Sequence, residues 1–297
     1  MDHSPRLRVT QILLSLALIL CFHPVLAQQD KAFIWEVSSG NSRIHLMGSI
    51  HFANAGFYPL RPEIEQAFES SDNLVVEVDI GNIDPSTTQA MLLSKGTYQG
   101  HQTIKDHLSR QTYQLLMDYL DKQGIPATLF LNYKPGMLVM TLTSMELMKY
   151  GFSPNQGIDL HFLRKARGRK TILELETLEQ QLDMLMNLPQ EDQMLQQTIK
   201  EFDTYPQLMQ SLIHSWKTGD KQKLTEVLID KPLREYPSSR PVFEKMFVAR
   251  NHEMVKKLKH YLRSRESYFV VVGAGHLVGN QGIIRLLEQS GYRARRI

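Results

Sequence analysis

Two apolar runs near opposite ends of the chain break in the same way, and this repeated pattern limits the possible folds more than any other feature. Ile44-His45-Leu46-Met47 runs into Gly48-Ser49-Ile50-His51, and Val270-Val271-Val272 runs into Gly273-Ala274-Gly275-His276. Each reads as a buried strand with Gly-x-x-His on the turn that follows. A glycine at a strand exit lets the backbone turn sharply, and ligand sites in α/β sheets gather at the carboxyl ends of strands. Neighbouring parallel strands would bring His51 and His276 to one edge of the sheet. A single Gly-x-x-His is a weak signal, and a lone histidine is more often structural. Two copies in matching context point to a shared site, and histidine is the commonest metal ligand and general base.

Other segments set the frame around these turns. Phe33–Val37 and Arg43–Met47 flank the turn cluster 38–42 and predict a β-hairpin. Leu74–Val78 and Thr171–Leu175 are further strands of short apolar type. Helical spacing dominates residues 85–165, and more helices are expected at 62–70, 178–188, 191–202, 206–217, 221–229, 239–264 and 279–290, with a final extended stretch at 292–296. Strands separated by helices predict an α/β (α+β) fold: a central mixed, partly parallel sheet flanked by helices, with a long helical middle. The methionines Met184, Met186, Met194 and Met209 read as core filler on apolar helix faces.

Acidic residues join the histidines. Glu77 interrupts Leu74–Val78, where a carboxylate costs several kcal/mol unless it is paired or bound to a metal; alternation toward solvent is the other reading. Glu176 ends the strand 171–175, and Glu174 shares its face of the pleat, so periodicity does not separate the two. Two histidines with one or two carboxylates make a donor set for Zn, Mn or Co, and such an ion polarises a carbonyl and lowers the pKa of bound water.

Composition narrows the alternatives. The 297 residues are 42% hydrophobic and 22% charged, which is globular. The net charge of +3 is too small and too scattered for a nucleic-acid partner. Residues 1–27 read as a cleaved signal peptide: Arg6 and Arg8, an apolar run Ile12–Phe22 shorter than a bilayer span needs, and a small residue at Ala27; an uncleaved membrane anchor is the alternative. The one cysteine, Cys21, goes with that leader. A mature single domain at 28–297, periplasmic or secreted, then has no disulfide, no cysteine ligand and no membrane span. His252-Glu253 opens like the zincin motif, but Lys256 stands where its second histidine belongs. Gly273-Ala274-Gly275 with Gly279 resembles a dinucleotide turn, yet too little chain follows for a Rossmann unit. No serine-hydrolase elbow or phosphate loop occurs.

The residues resemble the TraB/GumN family. The likeness lies in Phe33–Val37, Gly48–His51, Val75-Val76-Glu77-Val78-Asp79, Gly157-Ile158-Asp159, Leu175-Glu176-Thr177 with Gln181, Arg250-Asn251 and Gly273–Leu277. It spans about residues 30–297, and the paired turns are specific in combination. The family includes the animal TIKI proteins, described as metal-dependent proteases, and is similar to the erythromycin esterase/ChaN-like group. The resemblance implies a divalent metal ion held by His51, His276 and Glu77, with Glu77 or Glu176 as a further ligand or general base. It places Glu176, Arg250 and Asn251 nearby, with Arg250 as an oxyanion stabiliser; position alone makes Arg250 a helix-surface charge. His161, His214 and His260 carry no motif. The expected activity is a metal-dependent hydrolase acting on a peptide or another small substrate. A haem- or metal-binding protein without turnover, and an accessory protein of envelope or polysaccharide assembly, are the competing readings. No motif sets the substrate or the oligomeric state.

Overall fold

The computed structural model describes residues 32–297; the leader reading for 1–27 lies outside them. Six strands form one sheet: β1 (Ile34–Ser39), β2 (Ser42–Ser49), β3 (Asn73–Val76), β4 (Thr171–Glu174), β5 (Ser267–Gly273) and β6 (Ala294–Arg296), in the order β4-β3-β5-β2-β1-β6. β1 and β2 form the expected hairpin, and β6 closes the edge antiparallel to β1. β2, β5, β3 and β4 are parallel. The sheet is therefore mixed, and its parallel strands read as near-continuous apolar runs because helices cover them. Phe269 through Val272 are all fully buried.

The connections are helical, as the spacing predicts: α1 (Pro62–Glu69), α2 (Pro85–Gly96), α3 (Arg110–Lys122), α4 (Pro135–Lys149), α5 (Ile158–Ala166), α6 (Leu178–Met186), α7 (Glu191–Glu201) and α8 (Tyr205–Thr218). There follow α9 (Lys221–Thr225), α10 (Lys231–Glu235), α11 (Arg240–Phe243), α12 (Ala249–Tyr261) and α13 (Ile283–Gln289). Proline at the first turn of α1, α2 and α4 costs no hydrogen bond, because that N–H has no partner in the helix. The long helix expected over 239–264 is present from Arg240 to Tyr261, but it is not α throughout. α11 passes through a π turn, Glu244–Val248, into α12, and a second π turn, Glu226–Asp230, joins α9 to α10. Apolar spacing alone does not distinguish a π turn from an α turn.

Buried apolar side chains form two clusters. The larger surrounds the sheet. A smaller one, with Leu116, Leu138, Leu142 and Leu195 at its centre, holds α3, α4 and α7 together. The helical middle thus has a core of its own, and the sheet leaves its carboxyl edge to carry the site. Among the described residues no helix is long and apolar enough to cross a membrane.

Candidate active site

β2 and β5 are hydrogen-bonded neighbours in parallel register, with Gly48 beside Val272 and Ser49 beside Gly273. Both Gly-x-x-His turns therefore leave the sheet at the same edge. β3 ends at Val76, two residues earlier than the apolar run suggests, so Glu77 stands just past the carboxyl end of β3 and not inside the strand. It is 5% exposed, which removes the solvent-facing alternative. β3 and β4 stay aligned past their ends, Glu176 N–H donating to the Glu77 carbonyl at 2.9 Å, and this brings the two carboxylates side by side. Glu174, which periodicity left equivalent to Glu176, turns away and accepts from Asp79 N–H at 2.6 Å.

Three reactive groups meet at one point. A Cβ placed on Gly273 would lie 3.4 Å from Glu77 Oε1, 3.5 Å from His51 Nε2 and 3.6 Å from His276 Cδ2. His276 Nε2 is 3.8 Å from Glu77 Oε1. Gly273 N–H donates to Glu77 Oε1 at 2.7 Å and holds that oxygen in place.

Each histidine is fixed from behind. His51 Nδ1–H donates to Asp159 Oδ2 at 2.8 Å, and Ser49 Oγ donates to the other oxygen at 2.7 Å. Asp159 reaches His51 because α5 starts against the first turn: Ile158 N–H donates to the Ile50 carbonyl at 3.1 Å. Gly157 permits this approach, since a Cβ there would be 2.3 Å from the His51 carbonyl oxygen. His276 Nδ1 is 2.5 Å from Asn251 Oδ1, and Asn251 Nδ2 donates to the Gln281 carbonyl at 2.7 Å. That second bond orients the amide, so Oδ1 accepts and His276 carries its proton on Nδ1.

Arg250 is a half-buried hub, its side chain 16% exposed, and not the surface charge its position in the sequence suggests. Its Nη2 donates to Glu77 Oε2 at 2.6 Å and to Glu176 Oε2 at 2.9 Å, and Nε donates to Glu176 Oε1 at 2.8 Å. Gln181, on the first turns of α6, donates to Glu77 at 3.0 Å and to Glu176 at 3.2 Å. A forked guanidinium suits two adjacent carboxylates in a way that a point charge does not. Burial alone would raise the Glu77 carboxyl, but the charges of His276, His51 and Arg250, with the Gly273 N–H, outweigh it and hold it at about 2. His276 is charged at the low pH where Glu77 takes its proton. Burial pushes His276 down to about 4, with Glu77 opposing only in part, so it is neutral at pH 7. The Asp159 charge raises His51 to about 9, so this imidazole is charged at pH 7 and a metal ion would have to displace its Nε2 proton while Asp159 keeps Nδ1–H. His51 is nonetheless the accessible member of the trio, its side chain 60% exposed on the cleft.

One contact bears on a bound cation. Neutral His276, with its proton on Nδ1, leaves a lone pair on Nε2, and that atom lies 3.8 Å from Glu77 Oε1. A cation beside both atoms would be attracted to each of them. Carboxylate and carbonyl partners behind the imidazoles orient metal-binding histidines in the same way. The donor chemistry therefore fits a divalent ion, with His51, His276 and Glu77 as the groups that would hold it. The set is not drawn together into a coordination sphere: among the described residues no three His, Cys, Asp or Glu side chains form a metal-holding group.

The site opens into a cleft of about 440 Å³. Met184 and Met209, assigned to core packing by their spacing, line it; Met186 is fully buried as expected. The roles of Asp159 and Gln181 also escaped the residue-level reading. For Asp159 the available signal is an acid two residues beyond a glycine at a helix start; for the methionines there is none, because cleft walls and cores share one apolar pattern. Glu253 of the rejected zincin motif pairs with Lys256 at 2.6 Å on the surface of α12.

Fold and site together define an α/β protein with a histidine–carboxylate cluster at the carboxyl edge of a mixed sheet. The chain belongs to the TraB/PrgY/gumN family, whose model matches residues 33–296. It is similar to the uncharacterized protein YbaP of Escherichia coli, 27% identical over 251 residues that cover 84% of this chain and 89% of that protein. It is also similar to the metalloprotease TIKI2 of Xenopus tropicalis, 23% identical over 320 aligned residues, covering 90% of this chain and 60% of that protein. Metalloprotease TIKI1 of the same species is 23% identical, with 89% and 61% covered. No solved structure matches the chain.

Proposed function

We propose that the protein is a metal-dependent hydrolase of the exported envelope, peptidase-like in its substrate. The observation that carries this reading is the meeting of His276 Nε2 and Glu77 Oε1, 3.8 Å apart, beside His51 at the carboxyl edge of the sheet. A zinc, manganese or cobalt ion held by His51, His276 and Glu77 would polarise a carbonyl and supply hydroxide near neutral pH. The protein's own groups do the rest. Asp159 holds His51 and Asn251 holds His276, each through Nδ1, and Glu176 holds Arg250 in place beside Glu77. Arg250 balances the two carboxylates and is the cation that charge developing on a substrate oxygen would meet. The family relatives named metalloproteases favour a peptide substrate over other carbonyl compounds.

The test is metal analysis of the purified protein beside His51→Ala and His276→Ala, with peptide hydrolysis followed before and after chelation. Near-stoichiometric metal in the parent, lost in both variants together with at least a ~100-fold fall in rate, is the expected result. Full activity in either variant sinks the reading.

A further inference from the structure

We propose that the apolar part of the cleft is a specificity pocket for one bulky apolar side chain of a peptide, beside the bond to be cut, and that Leu228, Met246 and Phe247 decide what fits. This rests on the peptidase reading above and names its substrate class.

The charged groups of the cleft all sit at one end, on the sheet edge. Beyond them the lining is apolar, continuing through Met184, Leu185, Met209 and Leu212 to Leu228 and Phe247. A second cavity of about 260 Å³ lies on the far side of Leu228, Met246 and Phe247, so these three side chains form a wall common to both. The wall stands on the two π turns: Leu228 on Glu226–Asp230, Met246 and Phe247 on Glu244–Val248. π turns are uncommon and concentrate at functional sites, where they re-aim side chains that an α turn would place elsewhere.

The wall reaches the reactive edge directly. The Phe247 ring centre is 5.2 Å from that of His276. It also lies over Gly275, where a Cβ would come within 2.8 Å of Phe247 Cε1. The two glycines of the second Gly-x-x-His turn thus have separate tasks: Gly273 opens toward the three reactive groups, and Gly275 seats the wall against them. An apolar group held there is next to the bond at the sheet edge, not several residues away. Methionine is unbranched and adaptable, so Met184, Met209 and Met246 suit a pocket that accepts several apolar shapes and no charged one.

The experiment measures calorimetric Kd values of the full chain for blocked pentapeptides Ala-Ala-X-Ala-Ala, with X as Ala, Leu, Met, Phe, Asp or Lys. Hydrolysis of the same peptides is followed with cobalt or manganese added. Leu, Met and Phe peptides are expected to bind about 10- to 100-fold more tightly than Ala, with Asp and Lys weakest. Leu228→Ala and Phe247→Ala should each compress that range several-fold, and thermal melts check that both variants fold. The parent series stands without either variant. A Kd independent of X, or no measurable binding for any X, overturns the pocket. Selective binding without hydrolysis keeps the pocket and removes the hydrolase reading. Equal hydrolysis of every peptide does the reverse.

Discussion

Arg250 is held by two carboxylates that have little access to water, and its removal would take from Glu176 the guanidinium it pairs with and leave Glu77 to the histidines alone. Arg250→Ala should therefore destabilise the fold by about 3–5 kcal/mol, read by urea denaturation. Arg250→Lys should restore only part of that loss, because an ammonium cannot serve Glu77 and Glu176 through one planar fork. A loss below about 1 kcal/mol in the alanine variant would show that the ion network contributes little. A second residue gives a pH signature away from the site. His45 on β2 is buried beside Ser71; burial pushes its pKa down, and the Glu36 carboxylate 3.6 Å away offsets this only in part. The unfolded imidazole titrates near 6.5, above the folded one. Stability from this group is then present above about pH 6.5 and lost as pH falls through the lower folded value. The difference in unfolding free energy between parent and His45→Gln, followed from pH 7 downward, should shrink as acid is added. A constant difference would show that His45 takes up no extra proton on unfolding.

At the scale of elements, the helices that cover the sheet also lock the turns in place. Trp216 on α8 donates its indole N–H to the Gly48 carbonyl at 2.7 Å, in the first residue of the first Gly-x-x-His. Trp216→Phe keeps most of the ring area and loses that bond. It should cost about 1–3 kcal/mol and lower metal affinity through the displaced turn, measured by denaturation and by metal titration. A variant with parent metal affinity would separate α8 from the site. The two turns and their meeting point were legible in the sequence because buried parallel strands are continuous apolar runs and glycines mark their exits. Glu77 was legible for the same reason, as a charge in an apolar run. Glu176 was not separable from Glu174, since the pleat treats them alike and only the path beyond β4 divides them. The half-buried position of Arg250 was hidden as well: its helix is polar on most faces, and burial of one arginine depends on carboxylates far away in the chain. The π turns that build the apolar wall leave no mark in hydrophobic spacing.

For the whole molecule, a ligand that binds only the folded state adds to its stability by mass action. At about 100 times its Kd, a bound divalent ion should contribute roughly 2.7 kcal/mol to unfolding, and excess chelator should remove it. In His276→Ala the same addition should leave the melting curve unchanged; an equal shift in that variant would place the ion elsewhere. The strand order carries a consequence of a different kind. β5 lies in the middle of the sheet, between β2 and β3, although most of the chain, from Ser49 to Ser267, separates it from β2 in sequence. During synthesis the ribosome releases His51, Glu77, Glu176 and Arg250 long before the strand that unites them, and contacts this distant form late. A polypeptide interrupted before Ser267 lacks both His276 and the central strand. Such a fragment cannot bring His51, Glu77 and His276 together, so the edge of the sheet is completed only when the last part of the chain has docked.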